Sequence, residues 1–278
     1  MSTLPQPVTL PATGPAGPLA PPSPLAPPSP SSPSFPVVVE RACRPEDGAC
    51  RHLLVWRAGP GWRMLSSAVL GGGLGAREWV VNAQVRPGYG RMDPDRHLAE
   101  LAGAQGLTGP GAGLMTAAPV DDFTWAADGG ATALVTTGIG VPTWAAAPAA
   151  AGTAPAVGTI NILVVAPVPV ADAGLVNLLA TATEAKVQAL LDAGYDCSGT
   201  PSDAVCVAVR RPGAGPGGAD GAVELFGGPR SSWGARVARA VHLAVRKGAE
   251  GDRARRAAGP APEHPVATPE CAGIFELA

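Results

Sequence analysis

The 278-residue sequence predicts a mixed α/β (α+β) fold, a single compact domain with a mixed sheet or two sheets covered by a few helices. Three observations lead there. Seven short apolar runs read as strands, against only three segments with a helical period. Several of these runs are apolar on both faces, which requires cover on each side. The runs do not alternate regularly with helices, so a doubly wound parallel sheet is not expected. No internal repeat is present.

Taken in order, residues 1–36 hold 13 prolines and no charge, as in "PLAPPSPLAPPSPSSPSFP". Proline fixes φ and removes a backbone donor, so this stretch reads as a disordered or polyproline-like leader. The strand candidates follow: "HLLVWRA" at 52–58, "RMLSSAVL" at 63–70 and "WVVNAQV" at 79–85. Further on come "GLMTAA" near 113, "ATALVTTGI" near 131, "TINILVVA" from 159 and "DAVCVAV" from 203. The first helix, "DPDRHLAELAGAQG", opens with Asp93 as N-cap and Pro94 at its first position. The second is "TATEAKVQALLDAG" at 181–194, with Gly194 placed to end it. The third, "SSWGARVARAVHLAVRKG", has Ser231 or Ser232 as cap and Gly248 as its close. From 251 the composition is again that of a linker. The expected division is a leader at 1–36, a folded domain at 37–250 and a flexible tail at 251–278.

Charge and cysteine content narrow the function classes. The formal net charge is −2, and the nearest basic cluster, "RARR" at 253–256, reads as a solvated tail, so no nucleic-acid partner is expected. No apolar stretch reaches about 18 residues and no basic-then-apolar leader stands at the start, so no membrane partner is expected and the protein reads as cytoplasmic. The five cysteines are odd in number and lack CxxC spacing. They read as reduced thiols, not as a disulfide frame or zinc site, and no metal is assigned. Cys206, inside "AVCVAV", reads as a small buried residue. The glycines of "GGGLG" at 71–75 precede neither a lysine nor a helix, which removes the phosphate-loop and dinucleotide readings and leaves a tight turn or a close backbone approach to ligand. GxSxG and HExxH are absent, and the four histidines have no ligand spacing. The sequence does not set the oligomeric state.

One feature of the second helix is anomalous. At about 100° per residue, Asn177, Thr181, Glu184 and Gln188 form a polar stripe. Leu175, Leu179, Ala182 and Leu190 gather opposite, with Lys186 in their midst. It is one of only two lysines in the chain. A buried ammonium needs an anion or loses its proton. Strand, helix and strand in sequence would bring "GTIN" at 158–161 and "SGTPSD" at 198–203 to one neighbourhood, with Asp203 within reach of Lys186. A structural ion pair is the alternative to a catalytic one, and Glu184 alone reads as a solvated helix residue.

These stretches resemble the adenosylcobinamide amidohydrolases. The resemblance runs from about residue 63 to 248 and rests on "GTIN", "TEAKVQAL" and "SGTPSDAV" in that order. "LSSAVLGGGLG", "WVVNAQV", "DPDRHL" and "GLMTAA" lie upstream, and "GARVARAVHLAV" downstream. The segment "TTGIGVPTWAAAPAAAGTAPA" departs from the family's Gly-Asn-Pro type turn. The resemblance implies hydrolysis of the amide joining the corrin ring to its aminopropanol arm, giving adenosylcobyric acid in corrinoid salvage for cobalamin synthesis. The partner is then a small-molecule corrinoid. No cofactor is implied, since cobalt enters as part of the substrate.

Amide hydrolysis needs a nucleophile, donors for the oxyanion and an acid for the departing amine. Glu184 or Asp203 is offered as base and Lys186 as electrostatic donor or acid. A threonine nucleophile and an activated water both stay open. Substrate contacts are expected from Ser66, Ser67 and Gly72 in "LSSAVLGGGLG", Asn82 in "WVVNAQV" and Thr116 in "GLMTAA". Thr159 and Asn161 in "GTIN", Thr183 beside Glu184, and Thr200 and Ser202 in "SGTPSD" complete the set. Two rivals are an amidohydrolase acting on a different amide and a corrinoid-binding protein that does not hydrolyse. The binding-only reading is weak. Its Asp-x-His-x-x-Gly motif would start at Asp95 and His97, but Glu100 replaces the glycine and the stretch is helical.

Overall fold

The computed structural model describes residues 35–46, 48–148, 158–214, 222–259 and 272–277. The expected leader therefore lies almost wholly outside the described residues. In chain order the first strands are β1 (Val37–Glu46), β2 (Ala49–Trp56), β3 (Trp62–Ser66), β4 (Gly73–Ala76) and β5 (Trp79–Gln84). Then come α1 (Pro94–Ala104), β6 (Gly111–Thr116), a 3-10 turn (Val120–Asp122), β7 (Thr124–Asp128) and β8 (Ala131–Gly138). The remainder is β9 (Thr159–Pro169), α2 (Asp172–Asp192), β10 (Ala204–Arg210), α3 (Ser232–Ala258) and β11 (Gly273–Leu277).

The strands form two mixed sheets, one ordered β11-β1-β2-β5-β6 and the other β4-β3-β10-β9-β8-β7. Between them, Leu54, Trp56, Val80 and Leu114 pack against Met64, Leu134, Leu163 and Val165. The second sheet turns Ile160, Ile162, Val164 and Val207 outward onto Leu175, Leu178, Val237 and Val241 of α2 and α3. The first sheet turns Leu53, Val55 and Val81 onto Leu98 and Ala102 of α1. Central strands thus have helices on one face and the other sheet on the other. That explains why their sequences are apolar throughout.

Four strands escape the sequence reading. β1 carries Glu40, Arg41, Arg44 and Glu46, β4 is "GLGA", β7 is five residues long, and β11 follows a linker-like stretch. All but β1 are short strands at or beside a sheet edge, where the hydrophobic signal is weakest. The C-terminal boundary also differs from the expected flexible tail at 251–278. α3 continues to Ala258, and Gly273–Leu277 pairs with β1 in the register Val37↔Leu277.

Helix ends follow the sequence in part. α2 closes on a Schellman motif: Gly194 has φ +78°, its N–H donates to the Leu191 carbonyl, and Tyr195 N–H donates to the Leu190 carbonyl. Ser231 caps α3 by accepting from Gly234 N–H at 3.1 Å. Asp93 precedes α1, but its carboxylate binds Arg91 instead of capping. Gly248 does not end α3. It lies mid-helix, where an added Cβ would collide with the Thr137 hydroxyl of β8, so the glycine serves close helix-to-sheet packing.

Cys43 and Cys50 are joined, which corrects the all-thiol expectation. The β1–β2 register pairs Cys43 with His52 and Pro45 with Cys50, leaving the two cysteines diagonal on one face with Cα atoms 6.0 Å apart. Cys197 and Cys206 are buried free thiols, and burial pushes Cys206 up to about 12. Among the described residues, no helix is long and apolar enough to cross a membrane.

Candidate active site

The two sheets meet where β5 and β6 end and β9 and β10 begin. β9 and β10 run parallel, with Asn161 opposite Ala204, so the entry to β10 lies beside the first residues of β9. A cleft of about 430 Å³ opens here. Thr159, Asn161, Ser202 and Asp203 line one wall, and Ser67, Thr116, Met115 and Tyr89 line others.

Asp203 is the fixed point of this wall. One carboxylate oxygen accepts from Ile160 N–H at 2.9 Å and from the Thr200 hydroxyl. The other accepts from Thr200 N–H at 3.1 Å and from Lys186 Nζ at 2.5 Å. Lys186 is 6% exposed, so the charge on the apolar face of α2 is indeed buried and its partner is Asp203. The approach requires Gly199, since a Cβ there would strike both Asp203 and Lys186 Nζ. A carboxylate has about four acceptor sites, and four donors occupy those of Asp203. It ties the 198–203 loop to the start of β9, and that tie brings Ser202 against Thr159. Their hydroxyls are 2.7 Å apart, and Ser202 Oγ lies 2.8 Å from the Gly158 carbonyl.

Deeper in the cleft, Asn161 links the sheets. Its Nδ2 donates to Asn82 Oδ1 at 2.9 Å and to the Met115 carbonyl at 3.0 Å, and Asn82 Nδ2 donates to Thr136 at 2.9 Å. With its nitrogen so committed, Asn161 Oδ1 is buried without a hydrogen-bond partner among the described residues.

The structure therefore groups Ser67, Thr116, Thr159, Asn161, Ser202 and Asp203 in one cleft, with Asn82, Thr200 and Lys186 directly behind it. Other expected contacts lie elsewhere. Ser66 turns its hydroxyl to Ala68 N–H, and Gly72 packs its Cα against the Ala68 carbonyl in the turn before β4. Thr183 bonds back to the Leu179 carbonyl within α2. Glu184 is exposed in a separate groove with Gln188 and His242, away from Lys186. Thr181, assigned to the wet stripe, is buried because the Gly227 carbonyl accepts from its hydroxyl at 2.9 Å.

Sequence reasoning missed the rim residues Arg86, Tyr89 and Arg91, whose only signal was an aromatic between arginines in "RPGYGR". Tyr89 stacks on His97 with ring centroids 5.6 Å apart, and its hydroxyl lies 3.0 Å from His97 Nδ1. Burial holds His97 below the usual imidazole range, with the positive charge of Arg91 adding to the effect. His97 is a packed helix residue, not the loop ligand that a corrinoid carrier needs.

The family model described as adenosylcobinamide amidohydrolase matches residues 39–257. The chain is 30% identical over 185 residues to the adenosylcobinamide amidohydrolase of Methanosarcina mazei, covering 66% of this chain and 88% of that protein. The match takes in both sheets' central strands, the cleft and the Lys186–Asp203 pair, and the chain belongs to the adenosylcobinamide amidohydrolase family.

Proposed function

We propose that this chain hydrolyses the amide between the corrin ring and the aminopropanol arm of adenosylcobinamide, giving adenosylcobyric acid and aminopropanol. Family membership supports the substrate and the bond. The place of reaction rests on one observation, the polar cleft that Thr116, Thr159, Asn161, Ser202 and Asp203 line where the two sheets meet.

In this reading the Thr159 hydroxyl turns its proton from Ser202 Oγ to the amide carbonyl, Ser202 keeps its own on the Gly158 carbonyl, and Asn161 braces the wall through Asn82 and the Met115 carbonyl. Attack on that carbonyl places negative charge on its oxygen, where preorganised donors lower the barrier. Asp203 and Lys186 are positioning residues: Asp203 has no acceptor site spare for a proton in flight, and Lys186 balances its charge. Glu184 takes no part. No resident cofactor or catalytic metal is required, and the enzyme is a cytoplasmic one whose partner is a small corrinoid.

The test is aminopropanol release from adenosylcobinamide by the native chain and by Thr159→Val, which keeps the shape and deletes the hydroxyl. Release by the variant is expected to fall on the order of a hundredfold, as when one oxyanion donor is lost, with little change in melting temperature. Release at the native rate would remove Thr159 from the reaction.

A further inference from the structure

The β1–β2 hairpin gathers a second group of reactive side chains that amide hydrolysis does not use. Cys43 stands opposite His52 and Pro45 opposite Cys50, so strand alternation puts Cys43, Cys50 and His52 on one face. Their ligand atoms all lie within 4.8 Å of one another. Cys50 Sγ is 3.2 Å from His52 Nε2, and Cys50 and His52 are buried. The other ring nitrogen, Nδ1, is 2.5 Å from Asp121 Oδ2 in the 3-10 turn. Asp121 Oδ1 is in turn held by Arg41 at 3.4 Å.

Each part of this arrangement has a counterpart in the chemistry of zinc-type centres. Thiolates and imidazole are the donors that Zn²⁺ prefers. A ligating histidine ordinarily gives its second N–H to a carboxylate, which fixes the tautomer and points the free lone pair at the metal. Asp121 does this for Nδ1 and leaves Nε2 facing the sulfurs. The cysteines are seven residues apart in sequence, too far for a short metal loop, so their spacing gave no signal. The hairpin register brings them together.

We infer that, once reduced, Cys43, Cys50 and His52 form a binding site for a thiolate-seeking divalent cation such as Zn²⁺, with Asp121 as the outer partner of His52. The joined cysteines are the closed form of the site. A dithiol reductant supplies two electrons and two protons, the Cys43–Cys50 bond breaks, and two thiols form. Metal binding then displaces two thiol protons, so two thiolates and a neutral imidazole balance the cation's charge. Three protein ligands leave the fourth tetrahedral position to water. Disulfide and metal exclude one another. The site is separate from the hydrolysis reading and does not rest on it.

The probe is Co²⁺, whose thiolate complexes absorb in the near ultraviolet, added without corrinoid to the full chain. One sample is reduced with a dithiol that is then removed, and a second keeps the disulfide. The reduced chain is expected to bind one Co²⁺ with the thiolate-to-cobalt band, to release it to Zn²⁺, and to lose the band in Cys43→Ser and Cys50→Ser. Asp121→Asn is expected to retain the band and weaken binding about 10–100-fold. The oxidised native chain is expected to show no band, a control that needs no variant to fold. A reduced native chain without the band, or a band unchanged in Cys50→Ser, would overturn the assignment.

Discussion

At the scale of single residues, Lys186 shows how a misplaced charge marks a site. The helical period alone put it among Leu175, Ala182 and Leu190, and desolvation alone demanded an anion. The structure supplies Asp203 at 2.5 Å. Lys186→Met keeps the stem's bulk and leaves Asp203 buried with its charge unbalanced. The variant is expected to lose about 3 kcal/mol of stability in denaturant unfolding, and its turnover should fall as the 198–203 loop loosens. Replacing Asp203 by Asn in the same chain should return part of the stability. Native stability in Lys186→Met would contradict the pairing. This pair was legible because both residues lie on a strand–helix–strand unit contiguous in sequence. The Asn82–Asn161 link was not, because it joins two sheets across 79 residues. Glu184 faces a separate groove from Lys186 because residues two apart on a helix do not share a face.

At the scale of elements, strand sequences were legible wherever both faces are buried, as in β9 and β10, and illegible in the short or glycine-rich edge strands and in the charged β1. Helix ends were legible where a local motif sets them, as at Gly194 and Ser231. Gly248 was not, because a glycine that stops a helix and one that lets it approach a sheet look alike in one dimension. The two roles differ in their response to alanine. At an exposed helix interior Gly→Ala is worth about 1 kcal/mol of stability. At 248 the new methyl meets Thr137, and overpacking of that kind costs about 1–3 kcal/mol. Gly248→Ala is therefore expected to lower the melting temperature. A rise would show that the packing against β8 has slack.

At the scale of the whole molecule, the chain stacks α1, the five-stranded sheet, the six-stranded sheet and the α2–α3 pair, and the reaction cleft lies at one end of the central seam. β11 pairs with β1 and buries Leu277, so the C-terminal residues contribute to the core. The fold class followed from counting two-faced apolar runs. The order of strands did not, because a sheet's neighbours are chosen by packing and not by adjacency in sequence. What this architecture is for is tested most directly by one incubation of the purified chain with adenosylcobinamide in ¹⁸O-labelled water, followed by mass analysis of the corrin. Adenosylcobyric acid carrying a single ¹⁸O in its new carboxylate is the expected product. Recovery of unchanged substrate, or of a corrin that keeps its aminopropanol and has lost ammonia from a side-chain amide, would contradict the account.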